Sequence, residues 1–241
     1  MAVVFAGYFI QGNGGKMTKS MGSGLFIGLG ILAISVSASA QGSNTGIVKL
    51  NGGRSAILRM APAQPVTTAV LPPSNLVKIY STLGTGNNVY STLSADGILG
   101  TDTGQMLPEM VANGFRPKAD HVVTEVQVGA THFQGTNVLV VSVNQDNHGV
   151  PGKVLHTWRF SNLPDAWTCC TLQTGKYAKG IPVQKGKLYW VVLRPEKQFQ
   201  DTWDFWAHNF AEKQGHYYSN NTGSGWNTSY QVLAAVGVFG K

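Results

Sequence analysis

The sequence predicts an all-β protein, a two-sheet antiparallel β-sandwich or jelly roll of about ten strands with little helix. Three observations predict it. Short segments that alternate apolar and polar residues, or run β-branched, recur between turn residues. No long stretch keeps a 3.6-residue apolar period. The 30 glycines and 10 prolines of the 241 residues supply the turns such a chain needs.

The segments follow one another from Leu76. "LVKIYSTL" (76–83) comes first, and "VYSTLS" (89–94) repeats its Tyr-Ser-Thr-Leu as a hairpin-like echo rather than a repeat array. "MVANGFRP" (110–117) follows, with Phe115 expected in the core. In "DHVVTEVQVGA" (120–130), strand alternation puts Val122, Thr124, Val126 and Val128 on one face and Val123, Glu125 and Gln127 on the other. "NVLVVSVNQ" (137–145) is almost wholly apolar and reads as a central strand. "KVLHTWRF", "GIPVQ", "KLYWVVLRP", "TWDFWAHN", "HYYSN" and "YQVLAAVGVFG" continue the series to residue 240. Between two strong strands, "NQDNHGVPG" (144–152) has the oxygens of a calcium loop in Asn144, Asp146 and Asn147. One carboxylate alone is too few for such a loop, so a polar hairpin turn is expected.

Ahead of this domain the chain reads as leader and linker. Residues 17–40 hold a lysine, an uncharged apolar run from Gly24 to Val36, and Ala38-Ser39-Ala40. That is the pattern of a secretory signal cleaved after Ala40. The apolar run is shorter than the about 20 residues a membrane span requires. Residues 1–16 fit no part of such a signal and are read as an over-extended start before Met17. Residues 41–75, rich in Gly, Ser, Asn and Pro, are expected to be a low-order lead, leaving 76–241 as one domain. The expected product is secreted or periplasmic, with no transmembrane anchor after cleavage.

Charge narrows the partners. Beyond residue 40 the chain carries 16 basic and 11 acidic residues, a net +5, and the cations are scattered without a run or stripe. Nucleic acid is therefore not an expected partner, and a modest attraction to acidic polymers is. No GxSxG, HExxH or phosphate loop is present, and the Asp-Thr-Gly at 102–104 lacks the second copy an aspartic protease needs. A secreted hydrolase without a recognisable motif stays a distant alternative. No catalytic residue, cofactor or metal site is assigned.

Cys169 and Cys170 are the only cysteines, and they are adjacent. In an oxidising compartment they are candidates for a vicinal disulfide. Neighbouring α-carbons about 3.8 Å apart fall short of ordinary disulfide spacing, so the backbone must turn there. A buried reduced thiol and a crosslink to another subunit remain open. The pair reads as a loop clip or a hard platform beside a ligand.

Aromatic residues cluster late in the chain. In "DTWDFWAHN", Trp203 and Phe205 share one strand face and Asp204 and Trp206 the other, followed by His208 and Asn209. A tryptophan face beside carboxylate and amide groups can hold a sugar, so Trp203, Asp204, Trp206, His208, Asn209 and Trp226 are the candidate ligand residues. The competing reading places each tryptophan in the core. Trp226, between "TGSG" and "NTS", is expected to be the most exposed.

The landmarks fall in a telling order: "IYSTLG", Ala112-Asn113-Gly114-Phe115, "NQDNHGVPG", "LP", "CCTL", "GKLYWVVL", "TWDFWAHN", then Gly225-Trp226. Over residues 76–241 this resembles the choice-of-anchor R domain family of exported bacterial proteins. The resemblance implies a compact β-sandwich, joined in different members to different C-terminal surface anchors. No anchor-like segment follows Phe239, which favours free secretion or the periplasm. The expectation that results is an exported, non-catalytic binding module for a polysaccharide or other cell-envelope component. The alternative is a structural or adhesive matrix protein that binds itself.

Overall fold

The computed structural model describes residues 45–50, 54–59, 75–103, 107–198 and 200–241. The expected export signal and early start lie outside these residues. Fifteen strands occur among them, with one 3-10 turn at Gly86–Asn88. In chain order they are β1 (Thr45–Leu50), β2 (Arg54–Arg59), β3 (Val77–Ser81), β4 (Ser94–Leu99) and β5 (Met110–Phe115). Next come β6 (His121–Val128), β7 (Ala130–Gln134), β8 (Val138–Asn147), β9 (Val150–Ser161) and β10 (Gln173–Val183). Last are β11 (Tyr189–Pro195), β12 (Trp203–Ala207), β13 (Gln214–Asn221), β14 (Trp226–Val232) and β15 (Val236–Gly240).

The all-β sandwich expected from the sequence is the fold observed, with more strands than the ten expected. Two of the extra strands lie in the lead read as a linker. β1 and β2 pair antiparallel, and β1 joins β4. The physical reason is a hairpin signal in the sequence, Asn-Gly-Gly between the apolar segments "GIVKL" and "SAILR", which outweighs the polar composition around it. "VYSTLS", in contrast, forms no strand before Ser94.

The strands form three sheets, ordered β2-β1-β4-β12-β7, β10-β6-β15-β3 and β14-β13-β5-β11-β8-β9. β6 runs through Gly129 directly into β7. Backbone bonds from Gly129 N to Ala235 O, Ala207 N to Gly129 O and Ala235 N to Ala207 O join the first two sheets into one layer. The six-stranded sheet forms the other layer. Between them Val111, Phe115, Leu139, Val141, Val143, Tyr189, Val191 and Leu193 meet Ile98, Val126, Val128, Ile181, Trp206, Val236 and Val238. Burying such side chains stabilises the fold by roughly 1.5–3 kcal/mol each relative to exposure.

One face assignment is corrected. Val122 is 37% exposed, whereas Val123 is fully buried and shares the core with Val126 and Val128. The pairing of β6 with β15 shifts between Phe239 and Gly240, and that with β10 shifts between Lys176 and Ile181. Such bulges turn the strand over within its length, and simple alternation cannot foresee them.

Candidate functional site

The cluster "TWDFWAHN" lies in β12, an interior strand between β4 and β7. Its faces alternate as expected, but both are covered. Trp203, 6% exposed, packs with Phe205 and Phe133, and its ring centroid is 4.8 Å from that of Phe133. Trp167, from the loop after β9, closes over Phe205 at 5.0 Å. Trp206 has no exposure and donates from Nε1 to Ala235 O at 2.9 Å. Asn209 is consumed by the following turn, donating to Leu233 O and Lys213 O and accepting from Lys213 N at 2.8 Å. Trp203, Asp204, Trp206, His208 and Asn209 therefore do not form the open sugar platform expected of them. Nothing in their local pattern discloses the loop and the second sheet that bury them.

The acids of this region are buried too. Asp204 Oδ1 lies 2.7 Å from His132 Nδ1, and burial pushes Asp204 up to about 6 while His132 opposes the rise. His208 Nε2 is 3.3 Å from Asp96 Oδ1. Glu109 accepts from Asn220 Nδ2 at 3.2 Å. Burial pushes Glu109 up to about 8, with the Asn220 bond opposing and the neighbouring Asp96 charge adding to it. Among the described residues no group of three or more His, Cys, Asp or Glu is placed to hold a metal ion.

Cys169 and Cys170 are bonded to each other across a cis peptide. Both sulfurs lie against Asn87 O, at 3.4 and 3.3 Å. Tyr90 brackets the pair: its hydroxyl donates to Thr168 O at 2.9 Å, with Thr171 O at 3.3 Å. Together with Val89, Leu172, Ala207 and Ala235 they make a small separate core. The disulfide thus fastens the loop whose Trp167 covers the aromatic cluster of β12.

A second apolar face lies on the outer side of the other layer, and its centre is buried. Alternation along β11 points Trp190, Val192 and Arg194 away from the main core. Ala112, Leu188, Trp190 and Val192 form a second apolar cluster there, with Trp226 packed against it and partly exposed. In a flat sheet of this order, β14 and β9 would stand about 24 Å apart. Instead they touch, and Thr228 Oγ1 donates to Gly149 O at 3.0 Å. The sheet and its β8–β9 hairpin therefore curl over this face and make it concave. The hairpin closes through a two-residue turn, His148-Gly149, with φ of 55° and 89°. Asp146 accepts from Gly149 N and from Trp190 Nε1 at 2.8 Å, which seals one end of the face. The turn expected at 144–152 is thus found, and its carboxylate serves the hairpin.

The other end carries a groove. One transverse row crosses the sheet there. Trp226 pairs with Asn221, Asn221 with Met110, Arg194 with Val140 and Val140 with Arg159. Val111 pairs with Leu193, so Met110 and Arg194 are next in register. Val140, Thr157, Arg159, Arg194, Glu196, Lys197 and Gln198 line a groove of about 520 Å³ on this face. Arg159 Nε donates to Glu196 Oε2 at 2.7 Å. Of the six residues singled out from the sequence, Trp226 alone belongs to this face. Arg159 and Arg194 were missed because the row assembles from strands far apart in the chain, although both end apolar segments on a polar-facing position. The chain matches no family model, no curated protein and no solved structure.

Proposed function

We propose that the chain is an exported, non-catalytic recognition module that holds an extended glycan of the cell envelope or its surroundings along the transverse row and groove at one end of the six-stranded sheet. The transverse row carrying a partly exposed Trp226 is the observation that carries this reading. An indole face can lie under the C–H surface of a sugar, while Asn221 and the groove side chains offer polar partners to its hydroxyls. The preformed sheet keeps the ordering cost of binding low. Glycoside hydrolysis requires two facing carboxyl groups. Asp96, Glu109 and Asp204 are sealed in the interior, and the groove's Glu196 is engaged by Arg159, which supports recognition over turnover. The resemblance of the landmark order to that of choice-of-anchor R domains, and the leader pattern, support a secreted or periplasmic setting.

Affinity electrophoresis against a panel of neutral and acidic polysaccharides tests the proposal. At least one polymer should retard the protein, and Trp226→Ala should weaken that retardation about tenfold at unchanged thermal midpoint. A panel without any retardation would refute the reading. A second reading, self-association as a matrix protein, draws on Tyr230 and Phe210, 55% and 50% exposed. Sedimentation that becomes concentration-dependent without ligand would favour it.

A further inference from the structure

We infer that the groove at this end of the six-stranded sheet is an oxyanion site, so that the preferred glycan is an acidic one bearing carboxylate or sulfate groups. The inference rests on the glycan reading above and adds the chemical class of the ligand. Arg194 and Arg159 flank Val140 in one cross-strand row, which sets their backbones about 10 Å apart. That is about one Debye length at 0.1 M salt, so below that ionic strength their fields overlap across the groove. Val140 between them is 4% exposed and gives the groove an apolar floor. Lys197 adds a third, exposed cation at the rim.

Against these three cations the groove offers one carboxylate, Glu196, and it is taken by Arg159. Among the described residues, no acid pairs with Arg194 or Lys197 within ion-pair distance; the guanidinium of Arg194 reaches only the Pro195 carbonyl, at 3.2 Å. Cations on either side of Val140 repel one another modestly, and an anion bound between them removes that repulsion. A guanidinium also presents a planar fork that matches carboxylate and sulfate oxygens in paired hydrogen bonds. Thr157 and Gln198 stand beside it as neutral partners for neighbouring hydroxyls. The row then reads as a single device, with Trp226 at one side for the sugar ring and Arg194 and Arg159 at the other for its acid group.

The full chain is titrated with polygalacturonate, dextran sulfate and uncharged dextran, at low and physiological salt. Arg194→Gln, Glu196→Gln and Trp226→Ala are compared with Lys179→Gln, which removes one charge from the exposed surface of β10. The inference expects an acidic polymer to bind at least tenfold tighter than dextran. Arg194→Gln should cost about tenfold, Glu196→Gln should tighten binding about two- to threefold by freeing Arg159, and Lys179→Gln should change little. Preference for polygalacturonate or for dextran sulfate identifies the group as carboxylate or sulfate. Equal losses from Arg194→Gln and Lys179→Gln would reduce the effect to net charge and overturn the inference. Binding of dextran as tight as that of the acidic polymers, lost only in Trp226→Ala, would overturn it while leaving the glycan reading standing. Absence of binding to all three, and to the wider panel, would remove both. A thermal midpoint for Arg194→Gln within about 2 °C of wild type keeps a folding defect from being mistaken for lost affinity.

Discussion

At Glu109 the fold holds a carboxyl group with Oε1 on Asn220 and Oε2 without a hydrogen-bond partner among the described residues. Burial raises its pKa from 4.5 to about 8. The unfolded chain releases this proton near 4.5 and the folded chain keeps it to about 8, so between these values folding takes up a proton. Stability must therefore fall as pH rises through that window, by up to about 1.4 kcal/mol per pH unit. Asp204 adds a smaller loss between 3.8 and about 6. Glu109→Gln preserves the acceptor toward Asn220 and removes the titration. Denaturant unfolding at pH 5, 7 and 8.5 should show a flatter profile for the variant and higher stability than wild type at pH 8.5. Parallel declines would clear Glu109 of the effect. The tryptophans separate by the same logic of surroundings. Trp206→Ala empties a fully buried site and breaks the bond to Ala235 O, at a cost of roughly 3–5 kcal/mol. Trp226→Ala, at a partly exposed site, should cost far less stability and act on binding.

The β8–β9 hairpin shows what an element inherits from its sequence and what it does not. Its strands and turn are legible because β-branched runs flank "NQDNHGVPG" and because His-Gly tolerates two positive φ angles. That its tip bends across the sheet and reaches β14 is not legible, since it depends on Thr228 some eighty residues later. Asp146 joins both levels, tying the turn at Gly149 and the indole of Trp190. Asp146→Ala should destabilise by roughly 1–3 kcal/mol and shift tryptophan emission to the red as Trp190 gains water. Unchanged emission with lost stability would mean that the tip stays in place without the carboxylate. The loop carrying Cys169 and Cys170 is similar. The bond is legible from adjacency and from the oxidising compartment the leader pattern leads one to expect, but its anchor on Tyr90 is not. The Tyr90 ring fits only because residue 129 is glycine, where a Cβ would stand 2.7 Å from its Cδ1. Tyr90→Phe keeps that packing and leaves the Thr168 carbonyl unbonded, so a loss of about 1–2 kcal/mol is expected in denaturant unfolding.

At the scale of the molecule, long-range pairing decides both the fold and the site. The layers and most strands follow from local pattern, because a strand's alternation is written in its own residues. The burial of β12 and the row from Trp226 to Arg159 follow from strand order, which no local pattern contains. β15 makes the point most sharply. This last strand, buried along its whole length, lies inside its sheet between β6 and β3. Beyond it, Lys241 exchanges two backbone bonds with Val122. Val236 and Val238 also belong to the main core shared with the six-stranded sheet. This strand thus completes pairings with segments more than a hundred residues earlier and contributes to the core they enclose. Removing residues 236–241 should abolish cooperative unfolding, expose the core to a hydrophobic dye and leave β6 and β3 with unpaired edges prone to aggregate. The full chain should unfold in a single transition monitored by circular dichroism. A truncated chain that kept that transition would show that the two layers do not depend on β15, and would demand a different account of how the core is sealed.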